Sequence, residues 1–235
     1  MIDIGLLASI AVVVIVPTFF VQPWPLAGAP TGLIDAGLGA VVVGLVVGRI
    51  TAVALDDPGS LTTLSDLMII RSGVEFWPGV GAAVLWIVFR SHREGVAASL
   101  RLAAIAAPAL VAWACYEATC VLRDGCPGPV SAIGLRPDGL VKRMIPIGLL
   151  AAAAAAAAAL MVRRAQRAGM TDIRVVTLTA AAAAAIRSVD SIWLPRIGTG
   201  FTRQHQTSLL VAVLSALTFA VLTATGQRPS AQADQ

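Results

Sequence analysis

The sequence predicts an all-α integral membrane protein, a bundle of about seven transmembrane helices, on three observations. Of its 235 residues 57% are hydrophobic and only 13% are charged. The apolar residues fall in long unbroken runs and do not alternate with polar ones. Most of these runs approach the ~20 residues a helix needs to cross hydrocarbon, where every backbone amide must find its partner within the chain.

The runs lie at about 4–21, 36–55, 78–89, 100–122, 144–162, 173–194 and 207–225. The first follows Asp3, lacks Lys and Arg and contains Pro17, so it reads as a retained helix and not as a cleaved secretory signal. The second carries Gly44 and Gly48, a G-x-x-x-G step that admits a close neighbour. The third is short, and Trp77-Pro78 stands at its outer end as an interfacial aromatic anchor. The fourth contains Cys115, a small packing residue, and near its end Glu117. The fifth and sixth hold Ala151 to Ala159 and Ala180 to Ala185, which favour helix and close packing and carry no chemistry. The seventh closes a single domain over residues 1–225, and residues 226–235 read as a disordered cytoplasmic tail.

Short loops set the orientation. Arg90, Arg93 and Arg101 follow the third run, and Arg163, Arg164, Arg167 and Arg174 follow the fifth, so both loops are expected in the cytoplasm. The amino terminus is then outside and the carboxyl terminus inside. Asp56, Asp57, Asp66, Glu75 and the loop from Arg123 to Arg143 face out. Arg71, Arg123, Arg136, Lys142, Arg143, Arg196 and Arg203 stay outside against the usual bias, where anionic lipid headgroups are their natural partners. The net charge of +4 is scattered and forms no patch interleaved with aromatic residues, so no nucleic-acid partner is expected.

Four ionisable residues lie inside the runs: Arg49, Glu117, Arg187 and Asp190. Each costs at least ~2.5 kcal/mol at the bilayer centre, so each should face protein or water. At 1.5 Å per residue they lie ~9, ~8, ~10 and ~6 Å below the outer boundary, a single layer in the outer third. Arg187 and Asp190, three apart, are placed to pair. Two readings follow: a salt-bridge network that holds the bundle, or a polar pocket open to the outer leaflet. A transporter site would lie nearer the midplane, between repeats.

His92 and His205 fall on opposite faces and no C-x-x-C pair occurs, so neither a metal nor another cofactor is expected, and His205 reads as a surface histidine. Cys120 and Cys126 reach the outer face, where their spacing permits a disulfide without requiring one.

From about Ala36 to Leu222 the order of motifs resembles the prolipoprotein diacylglyceryl transferase family. Val47-Gly48-Arg49 is similar to that family's G-A-R, and an acidic-proline turn follows at Asp57-Pro58, then Ile70-Arg71-Ser72-Gly73. Gly73 to Gly79 resembles G-G-L-S-F-H-G-G, and Ala106 to Leu110 resembles the A-P-G-L segment before the signature helix. Cys120 to Gly128 resembles a variant of the signature, C-F-L-x-G-C-C-Y-G, and Ile186 to Asp190 resembles the stretch around an essential arginine.

The resemblance implies an enzyme of the bacterial plasma membrane that moves diacylglyceryl from phosphatidylglycerol to the cysteine of a prolipoprotein signal segment. Arg187 then carries the catalytic arginine role, because a guanidinium donates two parallel hydrogen bonds to a phosphate. Two motif residues differ: Trp77 stands in place of a histidine and Glu117 in place of an arginine. The run H-P-x-Q-L-Y-E is also absent from Val141 to Ile147. On this reading Glu117 becomes the base toward a thiol, and Arg49, Arg123, Lys142, Arg143 and Asp190 bind the lipid. The alternative is a noncatalytic paralogue that binds lipid or a membrane protein partner, with Glu117 neutralised by Arg187 or Arg49.

Overall fold

The structure, a computed structural model, describes residues 4–21, 32–56, 58–59, 74–123, 126, 128–136, 141–193 and 201–226. Asp57, Asp66, the segment Ile70 to Gly73, Arg196, the tail beyond Gly226 and the side chain of Arg123 lie outside the described residues. The long helices are α1 (Ile4–Val21), α2 (Leu33–Asp56), α3 (Phe76–Arg93), α4 (Ala98–Ala118), α6 (Ile147–Arg167), α7 (Asp172–Asp190) and α8 (Arg203–Gly226). Between α4 and α6 come a single turn, α5 (Cys120–Arg123), and one strand, β1 (Val130–Leu135).

Five segments among the described residues are long and apolar enough to cross a membrane: Leu33–Asp56, Ala98–Leu122, Ile147–Arg167, Asp172–Trp193 and Arg203–Thr225. That is compatible with a multi-pass membrane protein. Their outward faces are apolar, with Val42, Leu45 and Val46 exposed on α2 and Leu210, Leu214, Leu217 and Val221 exposed on α8. A water-facing surface would reverse that pattern, because burial of apolar area drives folding in water.

The chain forms two compact units, Phe20–Ile105 and Met1–Phe19 with Ala106–Gln235. In the first, α2 and α3 cross where neither carries a side chain. A Cβ on Gly44 would stand 2.9 Å from Gly79 O, and one on Gly79 would stand 2.8 Å from Gly44 O. The G-x-x-x-G step thus works as the sequence suggests, with Gly79 as its counterpart. One turn further on, Glu75 N–H donates to Gly48 O at 3.0 Å, joining the start of α3 to α2 through the backbone.

α3 outlasts its apolar run because Arg90, His92 and Arg93 fill its last turn, where positive charge is favourable against the helix dipole. It ends at Gly95, whose φ of +66° is open to glycine at little strain. Val96 N–H then donates to Ser91 O at 2.9 Å and Gly95 N–H to His92 O at 3.3 Å. α6 ends in the same way, with Gly169 at +77° and Met170 N–H donating to Ala165 O at 3.1 Å. Both turns that the sequence assigns to the cytoplasm therefore share one C-terminal motif.

At the first of these turns Glu94 pairs with Arg90 at 2.6 Å and with Arg101 at 2.5 Å. Arg101 is 1% exposed while Glu94 stays at the surface, so the carboxylate neutralises a cation that has left solvent. The Arg101 hydrogen bond, joined by the charges of Arg101 and Arg90, holds the Glu94 carboxyl below the ordinary carboxylate range. A carboxylate with a depressed folded pKa contributes stability that is complete above its unfolded pKa and is lost as pH falls through the folded value. Thermal unfolding in detergent should therefore show a loss of stability below about pH 4.5 that is smaller in Glu94→Gln, because that variant has no Glu94 proton to take up. Identical pH profiles for the two proteins would contradict the clasp.

In the second unit α6, α7 and α8 run alternately up and down. Ala151, Ala155, Ala158, Ala159 and Val162 form the buried stripe of α6, which packs against α7. Arg174 Nη2 donates to Leu222 O at 2.7 Å and joins the start of α7 to the end of α8. The opposite ends of α7 and α8 hold the polar groups.

Element boundaries shift for local reasons. The fifth apolar run begins as helix only at Ile147, because Pro146 is the N-cap and Met144 bridges to β1. Ser131 N–H donates to Arg143 O and Ile145 N–H to Pro129 O, both at 3.0 Å, so part of the expected loop is a short ladder. α7 ends at Asp190 and continues as a 3₁₀ turn, Ser191–Trp193.

Candidate functional site

The site is built from the last turn of α7 upward. The three-residue spacing of Arg187 and Asp190 puts both on one face, and Arg187 Nη1 donates to Asp190 Oδ2 at 3.0 Å. Arg187 Nη2 donates to Gln204 Oε1, 2.9 Å away at the start of α8. The guanidinium is thus gripped from two helices, which fixes its plane as one contact could not. The side chains are 16% and 9% exposed for Arg187 and Asp190. Asp190 Oδ1 is buried and has no hydrogen-bond donor among the described residues.

Beside this pair lies a second polar group. His205 Nδ1 is 2.9 Å from Ser188 O and 3.0 Å from Ser191 Oγ. A carbonyl oxygen only accepts, so the proton is assigned to Nδ1 and the lone pair to Nε2. Ser191 Oγ donates to Ser188 O at 2.8 Å, and the ring stacks on Phe201 with centroids 4.6 Å apart. Thr202 Oγ1 accepts from His205 N–H at 3.2 Å, an N-cap that starts α8 with the ring inward. His205 is 8% exposed, which corrects its reading as a surface histidine. The threonine three residues ahead of it was the available signal, being a helix-start spacing that orients the third residue.

Glu117, in the last turn of α4, accepts from Trp113 Nε1 at 3.0 Å. It stands close enough to Asp190 for the two carboxyl groups to repel each other. Glu117, Asp190 and Arg187 therefore do share one electrostatic neighbourhood. Arg49 is buried on α2, in the other unit. Lys142 and Arg143 lie exposed on the loop before α6, and neither makes a described ion pair.

Cys120 and Cys126 are joined in a disulfide, with Cα atoms 4.9 Å apart, which resolves the alternative left open by their spacing. Thr119 interrupts α4 just before it, and Cys126 takes a φ of +55° to close the loop. The bond is seated on α6: a Cβ at Gly148 would stand 2.7 Å from Cys120 Sγ and 3.3 Å from Glu117 O. The covalent loop and the Glu117 backbone are thus packed together on one bare helix start. Among the described residues no three His, Cys, Asp or Glu side chains gather as a metal site.

Chemically the arrangement offers an oriented guanidinium, a carboxylate beside it with an open acceptor, and a second carboxyl group held by an indole. These suit a ligand that carries an anionic oxygen and a hydrogen-bond donor close together. No protein-family model matches the chain, and no curated protein matches it.

Proposed function

We propose that the protein is a divergent diacylglyceryl transferase of the bacterial plasma membrane, multi-pass, with its amino terminus outside and its carboxyl terminus in the cytoplasm. Its lipid substrate is phosphatidylglycerol and its acceptor is the cysteine of a prolipoprotein signal segment. The observation that carries this reading is the Arg187 guanidinium, held by Asp190 and Gln204 at the end of the α7–α8 pair. The disulfide loop supports the same reading, since it belongs on an oxidising face.

In the reaction the cysteine sulfur attacks the glycerol carbon that bears the phosphoester. The S–C bond forms, the C–O bond breaks, and glycerol phosphate leaves with the electron pair on its oxygen. Arg187 stabilises that charge, Glu117 takes the thiol proton, and Lys142 and Arg143 draw the anionic headgroup to the outer surface. A second reading, a noncatalytic relative that binds lipid or a membrane partner, is favoured by Trp77 and Glu117 at the two altered motif positions.

Purified protein incubated with phosphatidylglycerol and a lipobox peptide separates them. Transfer releases glycerol phosphate and adds the mass of diacylglyceryl to the peptide, and both products should vanish in Arg187→Ala. An unmodified peptide with the unaltered protein removes the first reading.

A further inference from the structure

The carboxylate of Asp190 has two oxygens in different circumstances. Oδ2 receives Arg187, whereas Oδ1 is buried and meets no hydrogen-bond donor among the described residues. A buried acceptor left empty forfeits the solvation it had in water, and a charged one forfeits more. Asp190 itself is 8% exposed, so bulk water does not fill that role freely. One oxygen of the carboxylate is thus a buried acceptor without a donor among the described residues, and the other is hydrogen-bonded at 3.0 Å to a guanidinium, a group that suits phosphate.

Neighbouring charges narrow the donor's chemistry. Arg187 and Asp190 cancel each other, and Glu117 adds negative charge nearby. A second anionic oxygen at Oδ1 would be repelled. A neutral hydroxyl would satisfy the oxygen without adding charge, and a glycerol headgroup carries one two carbons from its phosphoester, a span suited to a carboxylate that sits 3.0 Å from the guanidinium.

We propose that Asp190 Oδ1 is a specificity element that accepts a hydrogen bond from a hydroxyl of the lipid headgroup, so that the site selects a polyol phosphate over a bare phosphate of the same lipid. The selection belongs to the transfer site described above and rests on that assignment for its location. It concerns binding, however, and is measurable whether or not turnover occurs.

The test is native mass spectrometry of the full-length protein in detergent, given equimolar phosphatidylglycerol and phosphatidic acid with identical acyl chains. A single hydrogen bond to a carboxylate should favour phosphatidylglycerol by about tenfold. Asp190→Ala should bring the ratio to near one. Gln204→Ala, which removes a support of Arg187 and leaves Oδ1 in place, should weaken both lipids and keep the ratio. Should Asp190→Ala fail to fold, the isosteric Asp190→Asn serves, with a reduced ratio expected because an amide oxygen is the weaker acceptor.

Equal retention of the two lipids by the unaltered protein overturns the proposal, as does retention of neither, or a preference that survives in Asp190→Ala. The peptide assay is run on the same preparation. Selective binding without transfer sinks the transferase reading alone, and transfer without selectivity sinks only the role of Asp190.

Discussion

Gly79→Leu should destabilise the protein by about 3 kcal/mol. The position has no room for a side chain, since a Cβ there would meet Gly44 O at 2.8 Å and the Gly48 Cα at 3.7 Å. Those are backbone atoms of α2, which cannot swing aside as the end of a long side chain can. The helices would have to separate, and the Glu75 to Gly48 backbone hydrogen bond would break with them. Unfolding in denaturant, followed by the fluorescence of Trp86, which lies against Gly39 of α2, reads this crossing directly. Gly81→Ala is the control on the same helix. A Cβ there meets nothing within 4 Å, so the change should stabilise the helix by about 0.5–1 kcal/mol. Equal effects at the two positions would show that α2 and α3 do not cross through their glycines.

Arg187→Ala should have the second large effect, a loss of about 3–5 kcal/mol, because it leaves a buried carboxylate without its partner. Asp190 is tied to the arginine by the 3.0 Å hydrogen bond and has no other described ion pair. Replacing both residues by apolar ones of similar size, Arg187→Met with Asp190→Leu, should restore most of that stability, since a neutral pair removes the uncompensated charge. The double variant should nonetheless bind no anionic lipid selectively. A single Arg187→Ala as stable as the parent protein would mean that the carboxylate is already neutral or otherwise satisfied.

How much of this was legible in the sequence depends on the range of each interaction. The apolar runs locate the long helices because every residue of a spanning helix meets the same surroundings. They misjudge the ends, since caps and turns use short-range chemistry: Arg90, His92 and Arg93 prolong α3 by a polar turn, and Pro146 delays α6. Gly44 and Gly48 announce a close approach, but nothing in their own segment names Gly79 as the counterpart. β1 lies in Val130 to Leu135, too short for its alternation to stand out, and is held by single bonds to the Arg143–Ile145 backbone.

The site divides in the same way. The Arg187–Asp190 pair is readable because helical spacing makes neighbours of residues three apart. Gln204 is not, as its partner lies on another helix and a glutamine near a helix start carries no distinguishing signal. The hydrogen bond that restrains Glu117 comes from Trp113, four residues earlier on its own helix, and was legible in principle from that spacing. The Ser188, Ser191 and His205 group joins two helices through one imidazole nitrogen, a contact that emerges only from the fold.

The central claim is that a phospholipid headgroup sits at Arg187, and photocrosslinking tests it most directly. A benzophenone side chain replacing Trp193, which is 43% exposed and ends the 3₁₀ turn that follows Asp190, samples the surface three residues beyond the pair. Leu85 on α3, 69% exposed, serves as the comparison position. In phosphatidylcholine vesicles containing a minor share of phosphatidylglycerol, the adducts at position 193 should be enriched in phosphatidylglycerol relative to the bulk, and those at position 85 should match it. Adducts that mirror the bulk composition at both positions would contradict a headgroup site at Arg187.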